Sequence, residues 1–110
     1  MKTMTDQELK IENAHWQTSV MLRALEVFGC DAQMMQMMEE CAELTVALSH
    51  LKRFRTPEAR QEVIEELADV QIMCEQMKME FDCHREVETK IAEKLARLQR
   101  RLDKDAEENL

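Results

Sequence analysis

Glu39-Glu40-Cys41-Ala42-Glu43, the turn Lys52-Arg53-Phe54-Arg55-Thr56-Pro57 and the stretch Glu65-Glu66-Leu67-Ala68-Asp69 together decide the fold. Pro57 is the only proline in the chain. A threonine followed by proline suits a helix start, with Thr56 as N-cap and Pro57 at the first helical position, where the missing N–H has no intrahelical partner to lose. The chain therefore folds back here into an antiparallel helical hairpin. Facing residues in such a hairpin have position numbers of constant sum, and that sum is 109 both for Glu43 with Glu66 and for Glu40 with Asp69. Within each helix the paired acids stand three residues apart, on one face and about 4.5 Å apart along the axis. Four carboxylates are thus expected in one cluster.

Like charges so placed repel, by roughly 4 kcal/mol for a pair about 4 Å apart at an effective dielectric of 20. A positive partner is the natural remedy. Glu40, Glu43, Glu66 and Asp69 offer oxygen only, which favours a hard divalent ion, Mg2+ first, with Mn2+ or calcium behind it. The plainer alternative is a set of solvated helix-surface acids, in a chain that carries 23 acidic residues. One ExxE pair arises by accident in Glu-rich helices; two in mirror register across a turn do so much less readily.

A length of 110 residues predicts a single domain, 1–110, and 45% hydrophobic content is enough for one small core. One glycine, one proline and no tyrosine, with abundant Met, Leu, Glu, Ala, Gln, Lys and Arg, predict an all-α fold: an antiparallel helical bundle of about four helices. A net charge of −8 argues against a nucleic acid polymer as partner, because phosphates would be repelled. A nucleotide would have to arrive with its metal. No apolar run approaches ~18 residues, and Met1-Lys2-Thr3-Met4-Thr5-Asp6 lacks the apolar core of a signal peptide, so a cytoplasmic protein with no membrane partner is expected. Cys30, Cys41, Cys74 and Cys83 form no CxxC pair and His15, His50 and His84 are scattered, against a zinc site. Cys41 and Cys74 are expected as small core residues with reduced thiols.

The first helix is expected from about Asp6 to Phe28, opened by a Thr5-x-x-Glu8 capping box and closed by Gly29, with a break allowed near Asn13, His15 and Trp16. The second is expected from about Ala32 to Lys52 with Asp31 as N-cap. Met34, Met37, Cys41, Leu44, Leu48 and Leu51 give it a heptad stripe, and Met35, Met38, Ala42 and Val46 a second strip, which predicts burial on two sides and a Met34–Met38 cluster in the core. The third is expected from about Pro57 to Phe81, facing inward through Val63, Leu67, Val70, Cys74, Met77 and Phe81. The fourth begins near His84, capped by Asp82, and carries Val87, Ile91, Leu95, Leu98 and Leu102; the tail from 103 has no apolar face and is expected to fray.

With these residues in place, Glu39-Glu40-Cys41-Ala42-Glu43 followed by Glu66-Leu67-Ala68-Asp69 resembles the EExxE…ExxD signature of the all-α nucleoside triphosphate pyrophosphohydrolases, the group that contains MazG and the dimeric dUTPases. Gln33, the stretch Glu65–Val70 and Lys94-Leu95-Ala96-Arg97 extend the likeness to MazG-like proteins over roughly Phe28 to Leu102. The positions before Lys94 read Ile91, Ala92 and Glu93, where longer members of that family carry an Asn. The resemblance implies hydrolysis of a nucleoside triphosphate substrate between its α and β phosphates. It further implies Mg2+, with Mn2+ as substitute, on Glu40, Glu43, Glu66 and Asp69. Glu39 is then expected to position or deprotonate the attacking water, with Glu65 the other candidate. Lys90, Lys94 and Arg97 share one face of the last helix, and Lys94 and Arg97 are the expected phosphate-binding pair, whereas Lys52, Arg53 and Arg55 lie too far along the hairpin. Trp16, Phe28, Phe54 and Phe81 are left open as stacking partners for the base.

The two apolar faces of the second helix predict a homodimer or a homotetramer. Two other classes compete with the enzyme. A non-catalytic helical interaction module would use the heptads and need no metal. A di-iron carboxylate bundle needs ExxH pairs on two helices, and the chain has only Glu12-x-x-His15.

Overall fold

The computed structural model describes residues 3–110. Met1 and Lys2, part of the stretch read as lacking a signal-peptide core, lie outside the described residues. The described chain is all-α, in four helices: α1 Asp6–Phe28, α2 Cys30–Phe54, α3 Pro57–Glu80 and α4 His84–Glu108. It divides into two compact units, Met1–Glu80 and Phe81–Leu110. Among the described residues no helix is long and apolar enough to cross a membrane.

Local chemistry fixes the helix ends. Glu8 N–H donates to Thr5 Oγ1 at 3.1 Å and Thr5 N–H donates to Glu8 Oε2 at 2.8 Å, which completes the expected capping box. α1 is unbroken through Asn13, His15 and Trp16 and stops at Gly29, whose φ of 88° and ψ of 162° lie in a region that a side chain disfavours. The same residue starts α2, since its carbonyl accepts from Gln33 N–H at 3.1 Å. The second helix therefore begins two residues before the expected Ala32, and Asp31 lies in its first turn instead of capping it. Arg55 ends α2 in the left-handed conformation, φ 49° and ψ 42°, and Thr56 Oγ1 accepts from Ala59 N–H at 3.1 Å to open α3 at Pro57 as read from the sequence.

Within the first unit α2 and α3 form the hairpin, and α1 lies against both. Gln33 Nε2 donates to Gln76 Oε1 at 2.6 Å across the hairpin, both side chains buried. This pair has the same constant sum, 109, as the acids, so the register inferred from the turn holds over the length of the hairpin.

The inward faces differ from the expected ones at several positions. On α2 the buried or half-buried positions include Gln33, Met37, Glu40, Leu44, Ala47 and Leu51, with Met34 and Gln36 half-buried beside them; on α3 they include Ala59, Val63, Glu66, Val70, Met73 and Met77. Both sets keep the heptad spacing, but Glu40 and Ala47 take the places expected for Cys41 and Leu48, and Glu66 that expected for Leu67, while Gln33 and Met73 are buried beside the half-buried Met34 and Cys74. Cys41 is consequently exposed and Cys74 only half-buried, so Cys41 is not the core residue it was expected to be. Met35, Met38 and Val46 are more than half exposed, at 56%, 60% and 54%, so α2 is not covered on two sides and the Met cluster is split between inside and outside.

In the second unit α4 starts at His84, with Cys83 as N-cap and the expected cap, Asp82, in a left-handed conformation with φ 48°. Its helix runs through the charged tail to Glu108, where fraying was expected from 103 onward, because each turn keeps its backbone bonds and Lys104 sits 4.0 Å from Glu108.

The Gln33–Gln76 bond makes a testable prediction. Gln33→Leu strands a buried amide and is expected to destabilise the chain by about 1–3 kcal/mol in urea unfolding, whereas Gln33→Leu with Gln76→Leu recovers most of that loss.

Candidate metal centre

Glu40 and Glu66 occupy positions in the α2–α3 seam that a coiled hairpin ordinarily fills with apolar residues, and both are half-buried. Glu43, one turn on from Glu40, is exposed at the seam's edge. One carboxylate oxygen from each of Glu40, Glu43 and Glu66 lies within 4.8 Å of the other two. Asp69 follows Glu66 by one turn, is half-buried, and lies close enough to Glu40 for the two carboxyls to share a hydrogen bond. The hairpin thus brings together Glu40, Glu43 and Glu66 as a three-acid group, with Asp69 attached to it through Glu40.

The electrostatics follow from that crowding. Burial, then the charges of Glu43 and Glu40, then a hydrogen bond with Glu40 and the charge of Asp69 push the Glu66 carboxyl up to about 7 from its ordinary 4.5. Burial and the Glu40 carboxylate likewise raise Asp69, with Glu65 adding to the effect. Gln36 Nε2 donates to Glu40 Oε1 at 2.7 Å, but Glu40 Oε2 and Glu66 Oε2 are both closed to solvent and meet no donor. Buried acceptors of this kind in one acidic group can be satisfied by a shared proton or by a cation. The residues present fit a hard divalent ion, since every available donor is a carboxylate oxygen.

Glu39 is exposed on α2 and is not part of the three-acid group. Glu65 lies in an open groove of about 320 Å³ that leads from Glu43 and Glu66 toward the hairpin turn, floored by Ala42, Val46 and Ala47. The far end of that groove holds His50, whose Nδ1 stands 3.3 Å from Glu62 Oε2, with Phe54 and Arg53 stacked beyond it. Lys94 and Arg97 belong to α4, where they share a face with Lys90, Glu93 and Arg100; Lys90 Nζ pairs with Glu93 Oε2 at 3.1 Å. A second groove of about 260 Å³ runs between α1 and α3, lined by Trp16, Gln17, Val20, Met21 and Ile72, the last one turn beyond Asp69.

Sequence reasoning named Gln33 only as part of the family likeness and missed its bond to Gln76 and that of Gln36 to Glu40. The sum that pairs Glu40 with Asp69 also pairs Gln33 with Gln76, so that contact was available from the same arithmetic. Gln36 carries a fainter signal, its i, i+4 spacing to Glu40. The chain matches no protein-family model, no curated protein and no solved structure.

The raised carboxyls fix the sign of a pH effect. The folded chain holds a proton on Glu66 that the unfolded chain has released, so stability without metal is full below about pH 4.5 and falls as pH rises toward 7. Thermal melts in chelator across pH 4.5 to 7.5 are expected to show that decline, and Glu66→Gln is expected to flatten it.

Proposed function

We propose that the chain is a metal-dependent nucleoside triphosphate pyrophosphohydrolase, which cleaves an NTP or dNTP to the monophosphate and pyrophosphate. The observation that carries this reading is that Glu40 Oε2 and Glu66 Oε2, on two of the three grouped carboxylates, are both closed to solvent and without donors. The EExxE…ExxD resemblance supplies the reaction class. Nucleotide-pool cleansing in the cytoplasm is the role that suits it.

Glu40, Glu43 and Glu66, with Asp69 beside Glu40, would hold Mg2+, or Mn2+ in its place. A divalent ion bound there offsets charge on phosphate oxygens and lowers the pKa of a bound water. Glu39 is the candidate to accept the proton of the attacking water by resemblance, and Glu65 is the rival by its place in the groove. Lys94 and Arg97 would bind the outer phosphates, Arg97 through a planar fork that can take two oxygens at once. Trp16, exposed beside Ile72 in the α1–α3 groove, is the aromatic best placed to stack a base near Asp69.

The exposed apolar strip of Met35, Met38 and Val46 on α2 supports a homodimer or homotetramer. It equally suits a non-catalytic interaction module, which magnesium titration separates from the enzyme: the module takes up no heat of binding and is indifferent to Glu40→Gln.

Pyrophosphate release from a panel of canonical, deoxy and damaged triphosphates with Mg2+ tests the proposal. Activity on at least one substrate is expected, with Glu40→Gln, Glu66→Gln and Asp69→Asn each lowering kcat/KM by roughly 10²-fold or more, as removal of a preorganised charge-stabilising group does. No release from any triphosphate at millimolar Mg2+ or Mn2+ would rule the enzyme out. Light scattering at micromolar concentration is expected to give a dimer or tetramer; a monomer would contradict the oligomer.

A further inference from the structure

Gln36 stands one turn before Glu40 on α2, half-buried, in a layer of amides that borders the acids: Gln33 and Gln76 close the seam one turn further away. Its Nε2 reaches Glu40 Oε1 at 2.7 Å, while Glu40 Oε2 is shielded from water and without a donor. A glutamate side chain has three free torsions, and one surrounded by other carboxylates gains by swinging outward, where water would solvate both oxygens and distance would weaken the repulsion. Something must hold Glu40 in place. Gln36 supplies Glu40 with a neutral side-chain donor from one turn away on the same helix.

We propose that Gln36 is the positioning residue of the metal centre, a tether that keeps Glu40 inside the cluster and presents Oε2 to a divalent cation. This rests on the metal-centre reading above. The choice of an amide follows from charge. A lysine at position 36 would hold Glu40 more strongly, but its full positive charge would cancel part of the field that draws the cation in. Glutamine fixes the geometry and leaves the negative charge intact. Partners of this kind orient metal-ligating carboxylates, and their loss typically weakens metal affinity about 10–100-fold.

The test uses the full chain with Mn2+ alone, without nucleotide. Mn2+ affinity is measured by calorimetry and by electron paramagnetic resonance of the free ion, and the melting midpoint is measured in chelator. Gln36→Met keeps the length and helical preference of the side chain and removes the donor; Gln36→Leu is the second variant. Both are expected to bind Mn2+ roughly tenfold more weakly or worse, with a chelator midpoint no lower than that of the parent chain, because a released Glu40 relieves repulsion. Unchanged affinity in both variants, or a loss of affinity that comes with a lowered midpoint, overturns the positioning role and leaves the metal centre standing. Failure of the parent chain to take up Mn2+ overturns the metal centre, and the role of Gln36 with it.

Discussion

Repulsion between carboxylates confined to the seam of one helical hairpin is the constraint on which the rest of the molecule turns. Glu40 and Glu66 take heptad positions where a leucine on each side would have given a more stable pair of helices. Burial, with the neighbouring carboxylates of Glu43 and Glu40 behind it, raises the Glu66 carboxyl to about 7, so the apo chain near neutral pH is poised between holding a proton there and tolerating one more negative charge. Such an arrangement lowers stability and concentrates negative potential at one spot. The amides Gln33 and Gln76 then matter twice, since their bond satisfies two buried polar side chains and also holds the register that keeps the acids opposed.

What opposes this cost is modest. Among the described residues the buried apolar side chains are Leu25, Ala47, Ala59, Val63 and Met73, two of them alanines. Small residues in the seam let α2 and α3 approach closely, but they bury little area per position. Much of the apolar content of α2 remains outward, in Met35, Met38, Val46 and Leu48. A chain of this length with so few buried side chains is marginal by itself, which is why association with another copy enters the functional proposal.

A large part of the fold was legible in the sequence because the signals were local. The Thr5–Glu8 box, Gly29, and Thr56 before Pro57 each act through one or two hydrogen bonds or one torsion angle, and each marks a helix boundary where it was read. The register followed from the turn alone. The inward face was misjudged at several positions because apolar positions on α2 and α3 form strips broad enough to fit two adjacent heptad phases, and reading the most apolar phase put Cys41, Leu48 and Leu67 inward, although the register already set the acids opposite one another. Glu40 and Glu66 are half-buried in the seam, and Cys41 and Leu67 are exposed. The four-acid cluster was recoverable from register; the amide that holds Glu40 was not, because a glutamine on an amphipathic helix carries no signal until its partner's orientation is known. The reach of α4 to Glu108 was missed since propensity in a charged tail can sustain a helix that has no apolar face to recommend it.

Gly29 joins α1 to α2 with a single residue, and Arg55 and Thr56 alone join α2 to α3. A Cβ at position 29 would meet no atom within 4 Å, so crowding is not what reserves the site for glycine; its φ of 88° is. With connections this short, no slack exists to absorb an inserted or deleted residue. One extra residue between positions 43 and 66 would rotate one acid pair by about 100° around its helix and break the apposition. The spacing between the two acidic motifs is therefore the least editable property of this chain, more so than the identity of nearly any single side chain around them.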